Sequence, residues 1–206
     1  MGTAFAFPCL DNNHDVSIIG THLENDFINQ IKNNDNQHPG LKVNIPKNIN
    51  IYKNEELANL LPLKFEAIVI AVSSKGIEWV SDQLIKLSKN DYLPPIIVLT
   101  KGLSIYNNNY EVLVDKLERL LKQKNIKELN ISAIGGPCLA AGLANKIHTS
   151  VVLANRNLEQ AKIVLKLFTT SYYHISPSDD LIGVEVCAAI KNIFSIAVGA
   201  SHGLCS

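Results

Sequence analysis

Residues 178–199 read SDDLIGVEVCAAIKNIFSIAVG, and this stretch decides how the rest of the chain is interpreted. Its apolar residues have helical spacing, and one cation, Lys191, lies in the middle. Ser178 and the two aspartates after it predict the helix start, because such residues suit the N-terminal end of a helix. A lysine in this setting allows two interpretations. Either its stem lies on apolar surface while the ammonium reaches water, or the ammonium is desolvated and its pKa falls towards neutrality, fit for proton transfer.

The composition of the 206 residues excludes several classes of protein. Lysines plus arginines and aspartates plus glutamates both number 19, so the chain lacks the net positive charge expected of a nucleic-acid binder. Its four cysteines show neither a CxxC pair nor metal-ligand spacing, so we expect reduced thiols in a cytoplasmic protein and no metal. We expect no signal peptide, and no membrane span because Glu185 and Lys191 interrupt the last helix.

Short β-type runs alternate with helical patterns along the chain, which predicts an α/β fold with right-handed crossovers and a mostly parallel, doubly wound sheet. A helix comes first. Strands are then predicted at 16–19, 49–52, 66–72, 95–100, 131–134, 150–153 and 172–175. Helices are predicted at 23–31, 55–61, 73–87, 110–124, from 138 onward and at 158–168. A polar, asparagine-rich loop is predicted around 39–40.

Three places that directly follow predicted strands carry residues suited to ligand binding, because ligands of such sheets lie beyond the carboxyl ends of the strands. Lys101 follows one strand and is either an anion contact or a solvated loop charge. The GGPCLA segment at 135–140 lets backbone N–H groups approach an anion, or is a plain strand-to-helix turn. His22 follows the first strand and is either a cofactor contact or a surface residue.

Four segments resemble, in the same order, the NAD-dependent glycerol-3-phosphate dehydrogenases. The string VEVCAAIKN at 184–192 resembles the V-E-x-x-x-A-L-K-N segment of that family, and TKG at 100–102 resembles its S-x-x-K-G segment. GGPCLA resembles the S-G-P-S-F-A turn, and MGTAFA at 1–6 resembles W-G-T-A-x-A. The matches span nearly the whole chain, and the lysine segment is the most specific of them.

The resemblance implies a Rossmann-like NAD-binding domain at 1–177 and the first long helix of an all-α substrate-binding domain at 178–206. The chain would begin inside the phosphate-binding turn, so that the first strand and two fingerprint glycines are missing. It would also end before most of the helical domain. We therefore expect either a fragment or a short protein that has lost function. In either case we expect the last helix to expose an apolar face, and such a face tends to bind a partner. A homodimer is one possible arrangement.

The resemblance also implies roles for individual residues. Lys191 would accept the C2 hydroxyl proton of glycerol 3-phosphate while hydride passes to nicotinamide, and would return it to dihydroxyacetone phosphate in reverse. Glu185 lies six residues before Lys191, away from its helical face, and from that position we expect an orienting or structural carboxylate rather than a second base. The implied substrate contacts are Lys101, Gly136, Cys138, Lys191 and Asn192. The implied cofactor contacts are Gly2, Thr21, His22, Lys101 and Ala140.

Departures from the family pattern bear on the cofactor and the substrate. The family usually has an arginine after the Trp-Gly pair of its second strand, whereas this chain has Thr21 and His22 after Gly20, which predicts NAD rather than NADP. Cys138 replaces a serine, which weakens an expected hydrogen bond to the substrate. Two further hypotheses therefore stay open. One is a dehydrogenase of another small hydroxy-phosphate, and the other is a non-catalytic nucleotide-binding or assembly module.

Overall fold

The computed structural model describes residues 1–60, 64–88 and 92–204. Its strands are β1 (Ser17–Ile19), β2 (Gln37–His38), β3 (Val43–Asn44), β4 (Asn50–Tyr52), β5 (Ile68–Ile70), β6 (Ile96–Val98), β7 (Leu103–Tyr106), β8 (Asn109–Val112), β9 (Ile131–Gly135), β10 (Thr149–Ala154) and β11 (Tyr173–Ser178). Its α-helices are α1 (Gly2–Asp11), α2 (Asn25–Asn33), α3 (Ile77–Leu87), α4 (Leu113–Lys122), α5 (Ala140–Ala144), α6 (Leu158–Val164) and α7 (Leu181–Leu204). Single 3₁₀ segments occupy Asn54–Leu60, Ser74–Gly76 and Leu165–Leu167.

The main sheet has five strands in the order β11-β10-β9-β6-β5. All neighbours are parallel except β9 and β10, which are antiparallel. A separate parallel pair is formed by β1 and β4. An ion pair at 3.3 Å between His14 and Glu66 joins a residue that precedes β1 to a residue that precedes β5, and so links the two sheets. The predicted α/β fold with a mostly parallel sheet is confirmed.

Helices cover both faces of the five-stranded sheet, because its central strands are apolar on both sides. In β6, Ile97 packs in one core cluster together with residues of α1, α5 and α6. Its neighbours Ile96 and Val98 pack in the other cluster with residues of α3, α4 and α7. Successive side chains of a strand point to opposite faces, so a continuous apolar run serves two helical layers. This arrangement leaves the carboxyl ends of the parallel strands β5, β6 and β9 as the place where loops from both layers meet.

The helix predicted at 110–124 is shorter at its start, because a hairpin precedes it. Strands β7 and β8 pair antiparallel, and the hairpin continues directly into α4. Asn107 and Asn108 make the turn with φ of 48° and 61°, a left-handed conformation that asparagine tolerates better than most residues. The loop predicted around 39–40 likewise lies within a short hairpin, formed by β2 and β3. The antiparallel pairing of β10 was not predicted either, and residue 61 of the predicted helix at 55–61 lies outside the described residues.

Helix α7 is packed only through its first turns. Leu181 and Glu185 are its buried residues, whereas residues 191–204 are exposed, including Ile193, Phe194 and Ile196. The predicted exposed apolar face is therefore present. Within the described ranges, α7 is also the one helix that is long and apolar enough to cross a membrane. A core helix of a soluble protein meets the same criteria, so the absence of a span stays a prediction, as does the division of the chain at 177/178.

We predict that Leu117→Ala lowers the free energy of unfolding by about 2–5 kcal/mol, because Leu117 of α4 is fully buried against the sheet and a cavity would remain. Urea denaturation measures the change. The matched control is Ile163→Ala on α6, where the side chain is 58% exposed and the change should stay within about 0.5 kcal/mol. Equal effects of the two substitutions would contradict the packing described here.

Candidate functional site

Lys101 and the turn after β9 meet at the carboxyl edge of the sheet. Lys101 Nζ donates a hydrogen bond to the carbonyl oxygen of Gly136 at 3.3 Å. Burial lowers the pKa of Lys101, the charge of Lys191 lowers it further, and Cys138 opposes the change. The two charge effects, from Lys191 and from Cys138, indicate that both groups lie near the Lys101 ammonium. Four residues predicted from three separate segments are thus brought together: Lys101, Gly136, Cys138 and Lys191.

Two glycines make this approach possible. A Cβ atom at Gly135 would lie 2.7 Å from Val184 Cγ1, so only a glycine lets α7 come this close to the end of β9. Gly136 has a φ of +141°, and a Cβ atom there would lie 2.9 Å from the Cα atom of Val151 in β10. The turn is therefore wedged between β10 on one side and α7 on the other. Its backbone conformation is one that other residues rarely adopt.

Lys191 lies on the predicted helix but is not desolvated. Ala188, one turn earlier, lies over Gly135, which places Lys191 on the side of α7 nearest the turn. Lys191 and Asn192 are nevertheless both exposed, since α7 extends past the sheet after its first turns. The interpretation of Lys191 as a lysine buried among apolar neighbours is therefore wrong for this structure. The residues with which it was expected to pack, such as Ile193, are themselves exposed.

The start of α1 lies at the same edge. A Cβ atom at Gly2 would lie 3.1 Å from Cβ of Ala71, which directly follows β5. No side chain caps the N-terminus of α1, so its first backbone N–H groups are free of side-chain partners. Burial raises the pKa of Cys138, and the charges of Lys101 and the N-terminal amino group oppose that rise. The beginning of α1 is therefore close to Cys138 as well as to β5.

The remaining predicted cofactor residues lie in two other places. His22 follows β1, and its ring packs against that of Trp79 in α3 with centroids 5.6 Å apart. Thr21 donates its backbone N–H to Glu24 at 2.7 Å, a contact that the T-x-x-E spacing could have indicated. Ala140 begins the short helix α5. None of these three residues has a described contact with Lys101 or Lys191.

Two residues with a role at this edge were not singled out in the sequence. Thr100 Oγ1 donates to the carbonyl oxygen of Val72 at 2.8 Å and so ties the segment after β6 to the segment after β5. Trp79 forms the surface on which His22 rests. A threonine at a strand end and a tryptophan in a helix are too common to be recognised without tertiary contacts. In the part of the chain that the structure describes, no group of three or more histidines, cysteines, aspartates and glutamates is arranged to hold a metal ion.

A family model described as "NAD-dependent glycerol-3-phosphate dehydrogenase N-terminus" matches residues 1–161. The chain belongs to this family. A relative from Archaeoglobus fulgidus, named NADP(+)-dependent glycerol-3-phosphate dehydrogenase, is 29% identical over 203 residues, covering 98% of this chain and 58% of the relative. A relative from Enterococcus faecalis, named glycerol-3-phosphate dehydrogenase [NAD(P)+], is 32% identical over 206 residues, covering 98% of this chain and 57% of the relative. The chain thus spans a little over half the length of these relatives.

Solved structures give the same assignment of fold. The glycerol-3-phosphate dehydrogenase of Coxiella burnetii superposes with a TM-score of 0.77 at 26% identity, covering 98% of this chain and 58% of that one. The enzyme of Saccharomyces cerevisiae has a TM-score of 0.77 at 19% identity, covering 98% and 60%, and shows the fold alone. The Rossmann-like fold expected from the resemblance is confirmed. The family-model match ends before α7, so the roles of Lys191 and of the other site residues stay predictions.

We predict that Gly136→Ala lowers the free energy of unfolding by roughly 1–3 kcal/mol, because alanine is strained at a φ of +141° and its Cβ would press on β10. The matched control is Gly142→Ala in α5, where a Cβ atom meets nothing closer than 3.9 Å. That change should leave stability the same or raise it by about 0.5–1 kcal/mol. Urea denaturation of both variants distinguishes backbone strain from a general intolerance of alanine.

Proposed function

We propose that this protein is an NAD-dependent oxidoreductase that interconverts sn-glycerol 3-phosphate and dihydroxyacetone phosphate by hydride transfer. The observation that supports this function best is the hydrogen bond of Lys101 to the Gly136 carbonyl oxygen, together with the position of Lys191 on the side of α7 nearest the Gly135–Gly136 turn. Two cations at the carboxyl edge of a parallel sheet suit a small phosphorylated substrate. The relatives named above carry the same activity in their names.

The residues at this edge fit a dinucleotide. The uncapped N-terminus of α1 offers backbone N–H groups and the positive end of a helix dipole to a pyrophosphate, and Gly2 keeps that approach free of a side chain. His22 and Trp79 would contact the adenosine end, and Lys101 and Ala140 would face the nicotinamide half. NAD, when bound, accepts or supplies the hydride.

Lys101 would bind the substrate, and Lys191 would transfer the proton. Lys101, half-buried and fixed on the Gly136 carbonyl, would hold the substrate with its charge, assisted by the backbone of Gly136, the thiol of Cys138 and the amide of Asn192. Lys191 would take the proton from the C2 hydroxyl and return it in the reverse direction. Because Lys191 is exposed here, substrate and cofactor would have to exclude water from it on binding. General acid–base catalysis of this kind is worth about 10²–10⁴-fold.

NAD is proposed as the preferred cofactor because the segment after β1 offers Thr21 and His22 but no arginine for a 2′-phosphate. We further propose a cytoplasmic protein that forms homodimers and has no nucleic-acid partner or membrane span. The exposed apolar face of α7 favours, as a second candidate, a non-catalytic nucleotide-binding or assembly module. Cys138 in place of a serine favours, as a third, a dehydrogenase of another small hydroxy-phosphate.

Cofactor binding and turnover test this function together. We expect NADH to quench Trp79 fluorescence saturably, and dihydroxyacetone phosphate to drive NADH oxidation. Lys191→Met should lower kcat by about 10²–10⁴-fold with little change in the Kd for NADH, because the lysine acts on the proton. Lys101→Met should mainly raise KM for the phosphorylated substrate, since a charge contact is lost.

The control for both variants is Lys166→Met, an exposed lysine next to α6 that lies outside the proposed site and should change neither parameter. Saturable NADH binding without turnover would support the non-catalytic module instead. Turnover with a different hydroxy-phosphate, but not with dihydroxyacetone phosphate, would support the third candidate. Full activity of Lys191→Met would contradict the proposed mechanism.

A further inference from the structure

Glu185 is a buried carboxylate that the proposed chemistry does not use. It lies in the second turn of α7 and is 6% exposed. Its two oxygens accept hydrogen bonds from the backbone N–H groups of Leu113 and Val114, both at 3.2 Å. Those N–H groups open α4, and no side chain of α4 or of the hairpin before it caps them. One carboxylate of α7 therefore serves as the cap of a helix about 70 residues away in the chain.

Burial of the Glu185 carboxylate disfavours its charged form, and the two backbone hydrogen bonds offset part of that cost. Burial raises the pKa of Glu185 to about 7, the two backbone N–H groups oppose the rise, Asp115 on α4 adds to it, and Arg156 after β10 opposes it. A helix N-terminus stabilises a carboxylate through its unpaired N–H groups and its dipole. A buried carboxylate with both oxygens bonded to another element holds the two elements in one relative orientation more strictly than apolar packing does.

The elements joined in this way are those that carry the two lysines. Lys101 is followed by Gly102 and the β7–β8 hairpin, which continues without a break into α4. Lys191 lies six residues after Glu185 on α7, about 9 Å further along the helix axis and on a different side of it. Glu185 therefore does not contact Lys191. Any effect of Glu185 on Lys191 is through the orientation of α7, the helix that carries both residues.

Few other contacts control the rotation of α7. Its buried residues are Leu181 and Glu185, and Val184 rests on Gly135 between them. Leu181 and Val184 are apolar contacts and allow the helix to roll, whereas the bonds of Glu185 have a direction. Rolling α7 about its axis would carry Lys191 away from Lys101, because residues 191–204 have no buried contact of their own.

We propose that Glu185 is the positioning residue that fixes the orientation in which α7 presents Lys191 to Lys101. This proposal rests on the proposed function for its effect on catalysis, although the anchoring itself does not. Glu185 holds the start of α4 and the start of α7 together, so the distance between the two lysines is set by a group that contacts neither of them.

Amide hydrogen exchange tests the anchoring without any assay of activity. In Glu185→Gln the side chain keeps its shape, but its amide NH₂ group faces one of the two N–H donors and leaves it unpaired. We expect exchange to become about ten- to hundredfold faster at Leu113 and Val114, the range for loss of a hydrogen bond to a charged group, and likewise at α7 amides 184–190. Glu185→Ala should show a larger increase at the same amides. Faster exchange at Leu113 and Val114 alone would make Glu185 a cap of α4 and overturn the proposal.

The effect of Glu185 on catalysis is measured in the NADH-dependent reaction. We expect Glu185→Gln to lower kcat by about ten- to hundredfold while the Kd for NADH stays within about twofold, because a small misplacement of a reacting group costs this much. The matched control is Glu111→Gln, which removes the partner of Arg119 beside α4 without touching α7 and should leave exchange at 184–190 and kcat unchanged. An unaltered kcat in a folded Glu185→Gln variant would overturn the proposal.

The two arms separate this inference from the proposed function. If the wild-type chain binds NADH but does not turn over, the proposed function fails, and the exchange of α7 amides still decides whether Glu185 anchors the helix. If turnover is present and exchange at 184–190 does not change in Glu185→Gln, the proposed function stands and the positioning role is refuted.

Discussion

The close approach of α7 to the end of β9 is the contact on which the candidate site depends. Gly135 allows Val184 to lie against the strand backbone at a distance that any side chain would prevent. This approach places Lys191 on the side of α7 nearest the turn, and Lys101 is held on the Gly136 carbonyl of the same turn. A cation from the loop after β6 and a cation from a helix more than 80 residues later in the chain therefore share one edge of the sheet.

The two core clusters fix everything else around that contact. One cluster seats α1, α5 and α6 on one face of the sheet, and the other seats α3, α4 and α7 on the opposite face. Loops from both layers therefore meet at the carboxyl ends of β5, β6 and β9, where the start of α1 also lies. The ends of β6 and β9 form one side of the site. The second half of α7 is exposed and extends past the sheet, which makes α7 the least packed helix in the described part of the chain.

Much of the fold could be predicted because local patterns of apolar residues indicate its strands and helices. The apolar run of β6 indicates a strand buried on both faces, and its three residues are at most 1% exposed. The hairpin before α4 was missed because its turn depends on Asn107 and Asn108 taking a left-handed conformation, which their sequence permits but does not demand. The contact of Glu185 with α4 could not be predicted, since its partners are backbone N–H groups that every residue carries.

The candidate site was predictable in part for the same reason. Lys101, Gly136 and Cys138 follow strands directly, and the order of strands in the sheet brings them together. The exposure of Lys191 was not predictable, because desolvation depends on which surfaces cover a helix and not on the apolar residues within it. Thr21 and His22 follow β1 of the separate β1–β4 pair, and neither has a described contact with Lys101.

The measurement that tests this account most directly is the pKa of the Lys101 ammonium, obtained by an NMR titration of the wild type and of Lys191→Met. We expect a Lys101 pKa below that of an ordinary lysine in the wild type, because of burial and of the Lys191 charge. We expect this pKa to rise when Lys191 is replaced by methionine and to stay the same in Lys166→Met. An identical Lys101 pKa in the wild type and in Lys191→Met would show that the two lysines do not share a site, and would contradict the account.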